Sequence, residues 1–280
     1  MKKYLFLLFL LFDIIILFLV KLNKKNNRFY VTLTSFKERI NLINKTLDIL
    51  LTNTLRPKKI ILNLSTEEFP NKELDLPPNI LILLKKYTNF EIFWVKKNIK
   101  NFKKLIPTLN RLNLDDLVIT VDDDILYPNN LFEQMIKCFN KYGRNNPVSF
   151  GSQTSDWIIN GKIISSHYGR ATIVKSNYFN NKIYEIYNYT TKSLINKGIK
   201  CFDDILYTYS ALLNGYSYRR CKDYSINRFV SKSPKFNISI SENNDMKINN
   251  QRLRYHNIIR NYIKRKYNMT IEELIEKIKN

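Results

Sequence analysis

Short, continuous apolar runs recur along this chain, and a stretch with helical spacing separates the first two of them. The runs include FYVTLT (Phe29–Thr34), KIILNLS (Lys59–Ser65) and LVITV (Leu117–Val121). Runs of this kind are typical of strands that lie inside a parallel sheet and are buried on both faces. From Arg39 to Leu51 the apolar residues recur instead at the spacing of a helix. Strand, helix and strand in this order predict an α/β fold with a mostly parallel central sheet flanked by helices.

The same patterns predict further elements within one domain. ILILL (Ile80–Leu84) and EIFWV (Glu91–Val95) are further strand candidates. The apolar residues between Leu131 and Phe139 predict a helix face, and the region from Val148 to Tyr189 is mixed, with strands and loops. Residues 26–250 are enough for a single domain with one substantial core.

Residues 251–280 are predicted to form a basic, amphipathic helical extension. Thr270 and Glu273 have the spacing of a capping box for the last helix. A helix of this kind either docks on the domain with its basic face in water or lies on an anionic membrane surface. The apolar stripe of the extension comprises Tyr255, Ile258, Ile259, Tyr262 and Ile263.

The chain begins with an apolar run, residues 4–20, interrupted only by Asp13. As a helix this run would span about 26 Å, close to the hydrocarbon thickness of a bilayer. Lysines flank it on both sides and no small-x-small cleavage site follows, so we expect an uncleaved, single-pass membrane anchor within residues 1–25. Asp13 leaves an atypical signal peptide as the alternative. The charges of the flanks lean slightly towards a cytoplasmic domain and leave a luminal one open.

The residue types present restrict the chemistry that the chain can perform. With two histidines and six glycines, we expect no zinc site, Ser-His-Asp triad, G-x-G-x-x-G fingerprint or phosphate loop. Cys138, Cys201 and Cys221 have no metal-binding spacing, and their odd number predicts thiols rather than a disulfide framework, which fits the cytoplasmic side. The formal net charge of +22 attracts phosphates, anionic lipid or nucleic acid. Catalysis would therefore depend mainly on carboxylates.

Three consecutive acids follow the buried run Leu117–Val121, in the segment VITVDDDILYP. In open α/β sheets, ligands bind outside the carboxyl ends of the strands. A hard divalent cation relieves the repulsion among Asp122, Asp123 and Asp124, and can also bridge the phosphates of a substrate. If strand geometry persists, Asp122 and Asp124 point to one face and Asp123 to the other. The alternative is a solvated acidic loop.

A second acidic pair lies in KCFDDILYTYSALLNGY (Lys200–Tyr216). Its apolar spacing predicts a helix from near Asp203 to near Gly215. Asp203 or Asp204 is then available either as the N-cap of this helix or as a carboxylate that faces a cleft.

Six segments of the chain carry a resemblance to a known family in the family's own order. In these segments the chain resembles the nucleotide-sugar-dependent glycosyltransferases of the GT-A fold, in particular the family-2-like enzymes of bacterial capsule and surface-polysaccharide synthesis. The resemblance runs from about Tyr30 to Asp245 and implies a GT-A type nucleotide-sugar-binding domain over residues 26–250. The segments are VTLTSFKERI (Val31–Ile40), RPKKIILNLSTEEFP (Arg56–Pro70), FKKLIPTL (Phe102–Leu109), VITVDDDILYP (Val118–Pro128), FDDIL (Phe202–Leu206) and SENND (Ser241–Asp245).

On the donor side, the resemblance implies that Asp122 and Asp124 match the family's D-x-D and hold a divalent metal, Mn²⁺ or Mg²⁺. Asn63 and Ser65 end the second strand, and their alternative role is to hydrogen-bond to loop backbone. The alternative for Lys103 and Lys104 is that they are exposed lysines on a helix. The residues expected against a nucleoside diphosphate sugar are Thr34, Ser35, Asn63, Ser65, Lys103, Lys104, Asp122 and Asp123.

On the acceptor side, Asp204 matches the carboxylate that activates the acceptor hydroxyl in inverting members of the family. Asp203 is the second catalytic candidate of this pair, with the cap of the helix as its alternative role. The implied reaction transfers a sugar, with inversion, to a hydroxyl of a glycan or of a lipid-linked acceptor at a membrane. Asn244 and Asp245 match a pair without an assigned role. The family's glycine-rich stretch before the second acidic pair is reduced here to Gly169, which leaves the sugar and the acceptor geometry open.

Two other functions compete with sugar transfer. A metal-dependent nuclease or phosphoryl transferase would also use clustered acids and a basic surface. A catalytically inactive relative that binds membrane surfaces would fit the lost glycines and the basic C-terminal helix. The N-terminal apolar run and the six segments favour the glycosyltransferase, and no nucleic-acid partner is expected.

Overall fold

Strands of two to seven residues recur through the part of the protein that is described. The computed structural model describes residues 29–143, 145–150, 156–159, 162–166, 170–221, 223, 231–232 and 246–279. In chain order the strands are β1 (Phe29–Thr34), β2 (Lys59–Ser65), β3 (Phe90–Val95), β4 (Leu117–Val121), β5 (Ile125–Leu126), β6 (Val148–Phe150), β7 (Asp156–Ile159), β8 (Lys162–Ser166), β9 (Ala171–Lys175), β10 (Arg219–Arg220) and β11 (Ser231–Lys232).

A seven-stranded sheet in the order β10-β6-β9-β4-β1-β2-β3 forms the centre of the fold. The pairs β1–β2, β1–β4, β2–β3 and β6–β10 are parallel, whereas β9 is antiparallel to both β4 and β6. The strands β5 and β11 form one short antiparallel pair, and β7 and β8 form another. The predicted α/β fold with a mostly parallel sheet is confirmed.

Helices cover the sheet and complete the core. A 3₁₀ turn at Lys100–Lys104 precedes the third of them. The helices are α1 (Asn44–Leu51), α2 (Pro78–Lys86), α3 (Ile106–Leu109), α4 (Leu131–Cys138), α5 (Lys182–Ile186), α6 (Lys192–Asn196), α7 (Asp203–Leu213), α8 (Met246–Tyr267) and α9 (Ile271–Lys279).

The core lies between the sheet and these helices. Val31 of β1, Leu62 of β2 and Val118 of β4 are completely buried, as are Leu47 and Leu50 of α1. The three apolar runs form strands as predicted, because both faces of the central strands are covered. The helix predicted from Arg39 to Leu51 begins later, at Asn44, after a 3₁₀ turn at Ile40–Leu42.

One predicted strand is a helix. The run Ile80–Leu84, a strand candidate from its continuous apolar residues, lies inside α2. Pro78 occupies the first turn, where proline is favoured, and the buried residues Ile80 and Leu83 are three positions apart, as on one helix face. Ile82 is 61% exposed, so this apolar residue does not contribute to the core. The length of an apolar run did not distinguish a strand from a half-buried helix.

The C-terminal helices dock on the domain. The apolar stripe of α8 is buried at Tyr255, Ile259 and Ile263. Thr270 and Glu273 form the predicted capping box: the Thr270 N–H donates to the Glu273 carboxylate at 2.7 Å, and the Glu273 N–H donates to Thr270 Oγ1 at 3.2 Å. Of the two interpretations of this extension, docking on the domain accounts for the stripe.

A cluster around Glu185 of α5, which we call the Glu185 cluster, fastens the end of α8. Tyr262 Oη donates to the Glu185 carboxylate at 2.8 Å, and Tyr267 Oη also donates to it. Lys266 Nζ lies 3.2 Å and Lys182 Nζ 3.4 Å from the same carboxylate. Burial alone would raise the pKa of Glu185, but the hydrogen bonds from Tyr267, Tyr262 and Lys266 lower it to about 2. The carboxylate therefore stays ionised and binds α8 to α5.

The cysteine prediction is wrong for two of the three residues. Cys138 at the end of α4 and Cys221 next to β10 form a disulfide, with their Cα atoms 5.6 Å apart, while Cys201 is a buried free thiol. The two partners are 83 residues apart in sequence, so their pairing depends on how α4 meets the sheet edge and leaves no local signal.

Several predictions concern residues outside the described ranges. These are the anchor within residues 1–25, Gly169, and the pair Asn244 and Asp245. Among the described residues, no helix is both long and apolar enough to cross a bilayer. The anchor accordingly stays a prediction from the sequence.

Candidate functional site

The direction of chain travel across the sheet reverses between β1 and β4. The chain runs outward from β1 through β2 to β3, and then returns to add β4 on the other side of β1. The carboxyl ends of neighbouring strands diverge at such a switch point and leave a crevice. Ser35 follows β1 there, and Asp122, Asp123 and Asp124 follow β4. The sequence-predicted acidic run therefore lies where α/β sheets bind ligands.

Asp123 is turned into the protein and joins the two strand ends. Its carboxylate accepts a hydrogen bond from Ser35 Oγ at 2.6 Å and one from Arg39 Nη1 at 2.7 Å. The same Arg39 nitrogen lies 3.3 Å from Asp124 Oδ2. Both partners of the Arg39–Asp123 ion pair are buried, with side chains 7% and 8% exposed. Asp123 thus stabilises the crevice.

Asp122 points to a different cation. Lys104 Nζ donates to Asp122 Oδ1 at 2.5 Å and lies 3.5 Å from Asp203 Oδ2. The second oxygen of Asp203 accepts a hydrogen bond from Asn101 Nδ2 at 2.8 Å. The 3₁₀ turn that precedes α3 therefore carries the two side chains, Asn101 and Lys104, that bring the first acidic run and the second acidic pair together.

Burial and charge act in opposite directions on these carboxyl groups. Burial raises the pKa of Asp122 and of Asp203, while the Lys104 ammonium lowers both values. Burial also raises the pKa of Asp124, against the Arg39 guanidinium. The pKa of all three carboxyl groups is raised on balance, so each is a stronger base than an exposed aspartate and gains when a further cation arrives.

The two acids at the start of α7 have different partners. The carboxylate of Asp203 contacts Asn101 and Lys104 and makes no capping hydrogen bond, so the N-cap alternative for this residue is not observed. Asp204 instead forms an ion pair with Arg252 of α8, whose guanidinium also lies 4.7 Å from the centre of the Phe202 ring. Asp203 is therefore the member of the pair that lies beside the acidic run.

The two predicted donor lysines differ in environment. Lys103 is 1% exposed, and its Nζ binds the Glu68 carboxylate and lies 3.0 Å from Asn98 Oδ1. Ser65 Oγ donates to the same Glu68 carboxylate at 2.8 Å. Lys103 and Ser65 therefore belong to one network with Glu68, whereas Lys104 is the lysine that lies among the carboxylates of the two acidic segments.

Asn63 and its neighbours form a buried polar cluster, which we call the Thr32 cluster. Asn63 Nδ2 donates to Thr32 Oγ1 at 2.8 Å and to Thr108 Oγ1 at 3.0 Å, and Thr32 Oγ1 donates to the Lys104 carbonyl at 2.6 Å. Thr34 Oγ1 donates to the Asn63 carbonyl at 2.7 Å. Asn63 is completely buried, and its side-chain amide binds two threonine hydroxyls rather than loop backbone.

Three residues at the site were missed by the sequence analysis. Arg39 binds two of the acids, Arg252 binds Asp204, and Tyr127 Oη accepts the backbone N–H of Asp122 at 2.8 Å. Arg39 and Tyr127 lie within segments that carry the family resemblance, so their position was available as a signal. Arg252 had none, because its contact depends on how α8 packs.

The donor atoms present fit a divalent cation in one particular way. Within the described residues, no group of three or more acidic, histidine or cysteine side chains is placed to hold a metal ion. Asp122 and Asp124 can supply two carboxylates, and Mg²⁺-type ions are commonly bound by one or two carboxylates together with substrate phosphates and water. The site therefore fits a metal that arrives with, or is completed by, a diphosphate.

Comparison with known proteins gives neighbours by structure alone. The chain matches none of the protein-family models and none of the curated proteins with which it was compared. Among the similar solved structures are GT-A-type glycosyltransferases. Residues 1–349 of TarS from S. aureus with UDP-GlcNAc share 12% identity over 72% of this chain and 57% of that one, with a TM-score of 0.46. The chain thus spans little more than half of that neighbour.

Two further solved structures illustrate the range. The mannosyltransferase PcManGT from Pyrobaculum calidifontis, in complex with GDP-Man and Mn²⁺, shares 13% identity over 69% of this chain and 54% of that one, with a TM-score of 0.46. The Francisella tularensis 2-C-methyl-D-erythritol 4-phosphate cytidylyltransferase shares 11% identity over 69% of this chain and 90% of that one, with a TM-score of 0.38. These likenesses do not decide the function, which must be argued from the site itself.

Proposed function

We propose that this chain is a nucleotide-sugar-dependent glycosyltransferase that transfers a sugar, with inversion, to a hydroxyl of a glycan or of a lipid-linked acceptor. The observation that carries the proposal is the meeting of two acidic segments, distant in sequence, around Lys104. One carboxylate of each segment, Asp122 and Asp203, lies against this lysine. Lys104 and the acids after β4 are suited to a diphosphate with its metal, and Asp203 is suited to a hydroxyl.

The donor diphosphate is assigned to the crevice between β4 and the 3₁₀ turn. Lys104 is its lysine partner, since its ammonium already lies among carboxylates at the strand end and can bind phosphate oxygens. Asp122 and Asp124 would hold Mn²⁺ or Mg²⁺ together with those oxygens. When bound, the metal neutralises charge that develops on the departing diphosphate. Asp123 keeps the strand ends in place through Ser35 and Arg39.

We assign the general base to Asp203, in place of Asp204, which the sequence resemblance favoured. An acceptor hydroxyl is a weak nucleophile and requires a carboxylate within hydrogen-bond reach. Asp203 lies next to the donor crevice, and burial raises its pKa, which strengthens it as a base. It also begins α7, whose positive end favours the ionised form. Asp204, which pairs with Arg252, is assigned to positioning this end of α7.

The proposal is tested on the purified full chain in detergent. We expect release of a nucleoside diphosphate from at least one member of a panel of nucleotide sugars, in the presence of Mn²⁺ or Mg²⁺. The same preparation is assayed for cleavage of DNA and RNA. Hydrolysis of nucleic acid without turnover or binding of any nucleotide sugar would reject the proposal in favour of the nuclease, and binding of neither class would leave the inactive relative.

A lysine substitution tests the donor crevice directly. Lys104→Gln should weaken binding of the donor nucleotide by about tenfold or more, because it removes a charged hydrogen-bond donor. Lys97→Gln, at an exposed lysine that follows β3, is the matched control and should bind as the unchanged chain does. Equal affinities for the two variants, measured by calorimetry, would show that the nucleotide binds elsewhere.

A further inference from the structure

The described fold begins at one end of the central sheet. Phe29 opens β1 in the register Phe29↔Leu117, and the neighbouring strands start beside it in the registers Tyr30↔Lys59 and Ile60↔Phe90. The Lys58 N–H donates to the Phe29 carbonyl at 2.8 Å. We call this end the amino edge, and it lies opposite the edge that carries the acidic run.

Basic side chains surround the point where the chain joins the amino edge. Arg56, Lys58, Lys85 and Lys86 are exposed, and Lys59 is half-buried, with its Nζ donating to the Thr88 carbonyl at 2.9 Å. Lys85 and Lys86 end α2, only a few residues before β3 starts. These five residues, which we call the amino-edge patch, come from two separate segments that the sheet brings together.

The acids at the same edge are paired with cations both inside and outside the patch, and Lys59 Nζ itself lies 4.0 Å from Glu91 Oε2. Glu91 accepts a hydrogen bond from Arg111 Nη1 at 2.7 Å, and Asp115 lies 3.7 Å from Lys175 Nζ. The pKa of Lys58 is raised mainly by Tyr30, through a hydrogen bond and its charge, and to a smaller extent by the charge of Asp116, so this lysine stays positive. The amino-edge patch therefore remains positive in spite of the acids near it.

The preceding residues limit how far this edge can lie from a bilayer. The apolar run predicted as an anchor ends at Val20, and residues 21–28, KLNKKNNR, contain four more cations. Eight residues reach at most about 28 Å when fully extended. With the anchor in a membrane, the amino edge cannot lie farther from the lipid surface than this reach. Within a Debye length of that surface, about 8–10 Å, each lysine or arginine adds about 1 kcal/mol of attraction to anionic headgroups.

We propose that the amino-edge patch docks on an anionic phospholipid bilayer, so that the candidate site at the opposite edge of the sheet faces away from the lipid. The strands between the two edges are five to seven residues long, which places about 17–23 Å of protein between membrane and site. The proposal needs the anchor but not the glycosyltransferase function. If the chain is also a glycosyltransferase, the acceptor hydroxyl must reach the site about 17–23 Å above the bilayer surface.

The test is an acetylation footprint of the full chain in vesicles. The chain is reconstituted in phosphatidylcholine alone or in phosphatidylcholine with phosphatidylglycerol, and the acetylation rate of each lysine is followed by mass spectrometry. Lys58, Lys85 and Lys86 should react about fivefold more slowly in the anionic vesicles, and high salt should remove the difference. Lys97, at the opposite edge, and Lys264, on the exposed face of α8, should react equally in both.

Reversing the charge of two lysines in the amino-edge patch tests whether the patch itself contacts the lipid. Lys85→Glu with Lys86→Glu should abolish the slower reaction of Lys58 in anionic vesicles. Lys96→Glu with Lys97→Glu, an exposed lysine pair at the opposite edge, is the matched control and should preserve it. Circular dichroism melting of both variants confirms that each is folded.

Other outcomes overturn the proposal in distinct ways. Equal rates in both vesicle types mean that the patch does not touch lipid, and slowing at Lys264 alone assigns the contact to α8. A chain recovered apart from both vesicle types would lack the anchor, and the docking would fall with it. Slowing by added duplex DNA but not by anionic lipid would make the patch a nucleic-acid surface. None of these results bears on whether nucleotide sugars are bound.

Discussion

At the level of single residues, the three acids that follow β4 have different partners and different burial. Asp123 is buried against Arg39 and Ser35, whereas Asp122 contacts Lys104 at the crevice. Asp124 lies between these environments, 3.3 Å from Arg39 and 25% exposed. Consecutive acids of one type are thus divided into one that supports the fold and two that are partly exposed at the crevice, where we propose that a cation binds.

Substitutions within the acidic run should separate those two roles. Asp124→Asn and Asp122→Asn remove a negative ligand and keep the shape, so both should weaken Mn²⁺ binding measured by calorimetry in the presence of the donor's nucleoside diphosphate. Asp123→Asn leaves the buried Arg39 without its full counter-charge and should lower the free energy of unfolding by about 3 kcal/mol. In the absence of the nucleotide, we expect weak metal binding, since two carboxylates make an incomplete set.

The opposite pattern would contradict the assignment. If Asp124→Asn and Asp122→Asn melt early and bind metal normally, while Asp123→Asn binds none, then the roles of the three carboxylates are exchanged. Unchanged metal affinity in all three variants would place the cation elsewhere in the chain.

The second acidic pair allows a comparison of two adjacent residues. Asp203→Asn should lower kcat by about 10²- to 10⁴-fold with little change in donor affinity, as expected for loss of a general base. Asp204→Asn should lower kcat less than about tenfold, because its partly exposed ion pair with Arg252 only positions α7. Arg252→Gln breaks the same ion pair from its other side and is expected to match Asp204→Asn.

Transfer assays with the true acceptor decide between the two aspartates. Should Asp204→Asn abolish transfer and Asp203→Asn retain it, the residue chosen from the sequence resemblance is the base, and the neighbouring Asp203 serves to hold Lys104. Equal loss in both variants with unchanged Arg252→Gln would indicate that the pair acts as a unit.

At the level of elements, the Glu185 cluster determines how firmly α8 is held. The pKa of this carboxyl is lower in the folded protein, about 2, than its ordinary value of 4.5. A lowered folded pKa contributes stability that is present above pH 4.5 and is lost as the pH falls towards 2. The melting temperature should therefore fall over this acidic range as Glu185 becomes protonated.

Glu185→Gln removes the titrating group and tests the cluster. The variant should melt lower than the unchanged chain at neutral pH, and the difference should shrink as the pH falls towards 2. Glu276→Gln, at an exposed acid of α9, serves as the control. A pH-independent difference would show that Glu185 contributes through packing and not through its charge.

The elements also show where sequence patterns were sufficient. The runs at β1, β2 and β4 and the helical spacing of α1 predicted their structure, because complete burial imposes a simple pattern. Ile80–Leu84 lies in a helix that buries only one face, at Ile80 and Leu83. A short apolar run is compatible with such a half-buried helix as well as with a buried strand. Patterns of apolar residues thus locate elements better than they assign the type of a short one.

At the level of the whole molecule, the sequence predicted where the acidic run lies in the fold but not which residues the run contacts. Acids after a buried strand were correctly expected at the carboxyl edge, since the parallel sheet itself puts them there. The ion pairs Arg252–Asp204 and Lys104–Asp203, and the disulfide Cys138–Cys221, join segments remote in sequence. Such contacts depend on helix packing across the finished sheet, which one sequence does not specify.

The Thr32 cluster limits how the strands can pair in the first place. A parallel strand that slips by one residue turns its side chains to the opposite face. A slip of β2 against β1 would take Asn63 away from Thr32 and Thr108 and leave buried polar groups without partners, whereas apolar neighbours would tolerate the change more easily. Thr32 Oγ1 accepts the hydrogen bond from Asn63 Nδ2 and donates its own to the Lys104 carbonyl. A sheet in the wrong register would therefore also lose the contact that positions Lys104. The chain thus discriminates against near-native misfolded states with the same hydrogen bonds that locate Lys104 beside the acidic segments.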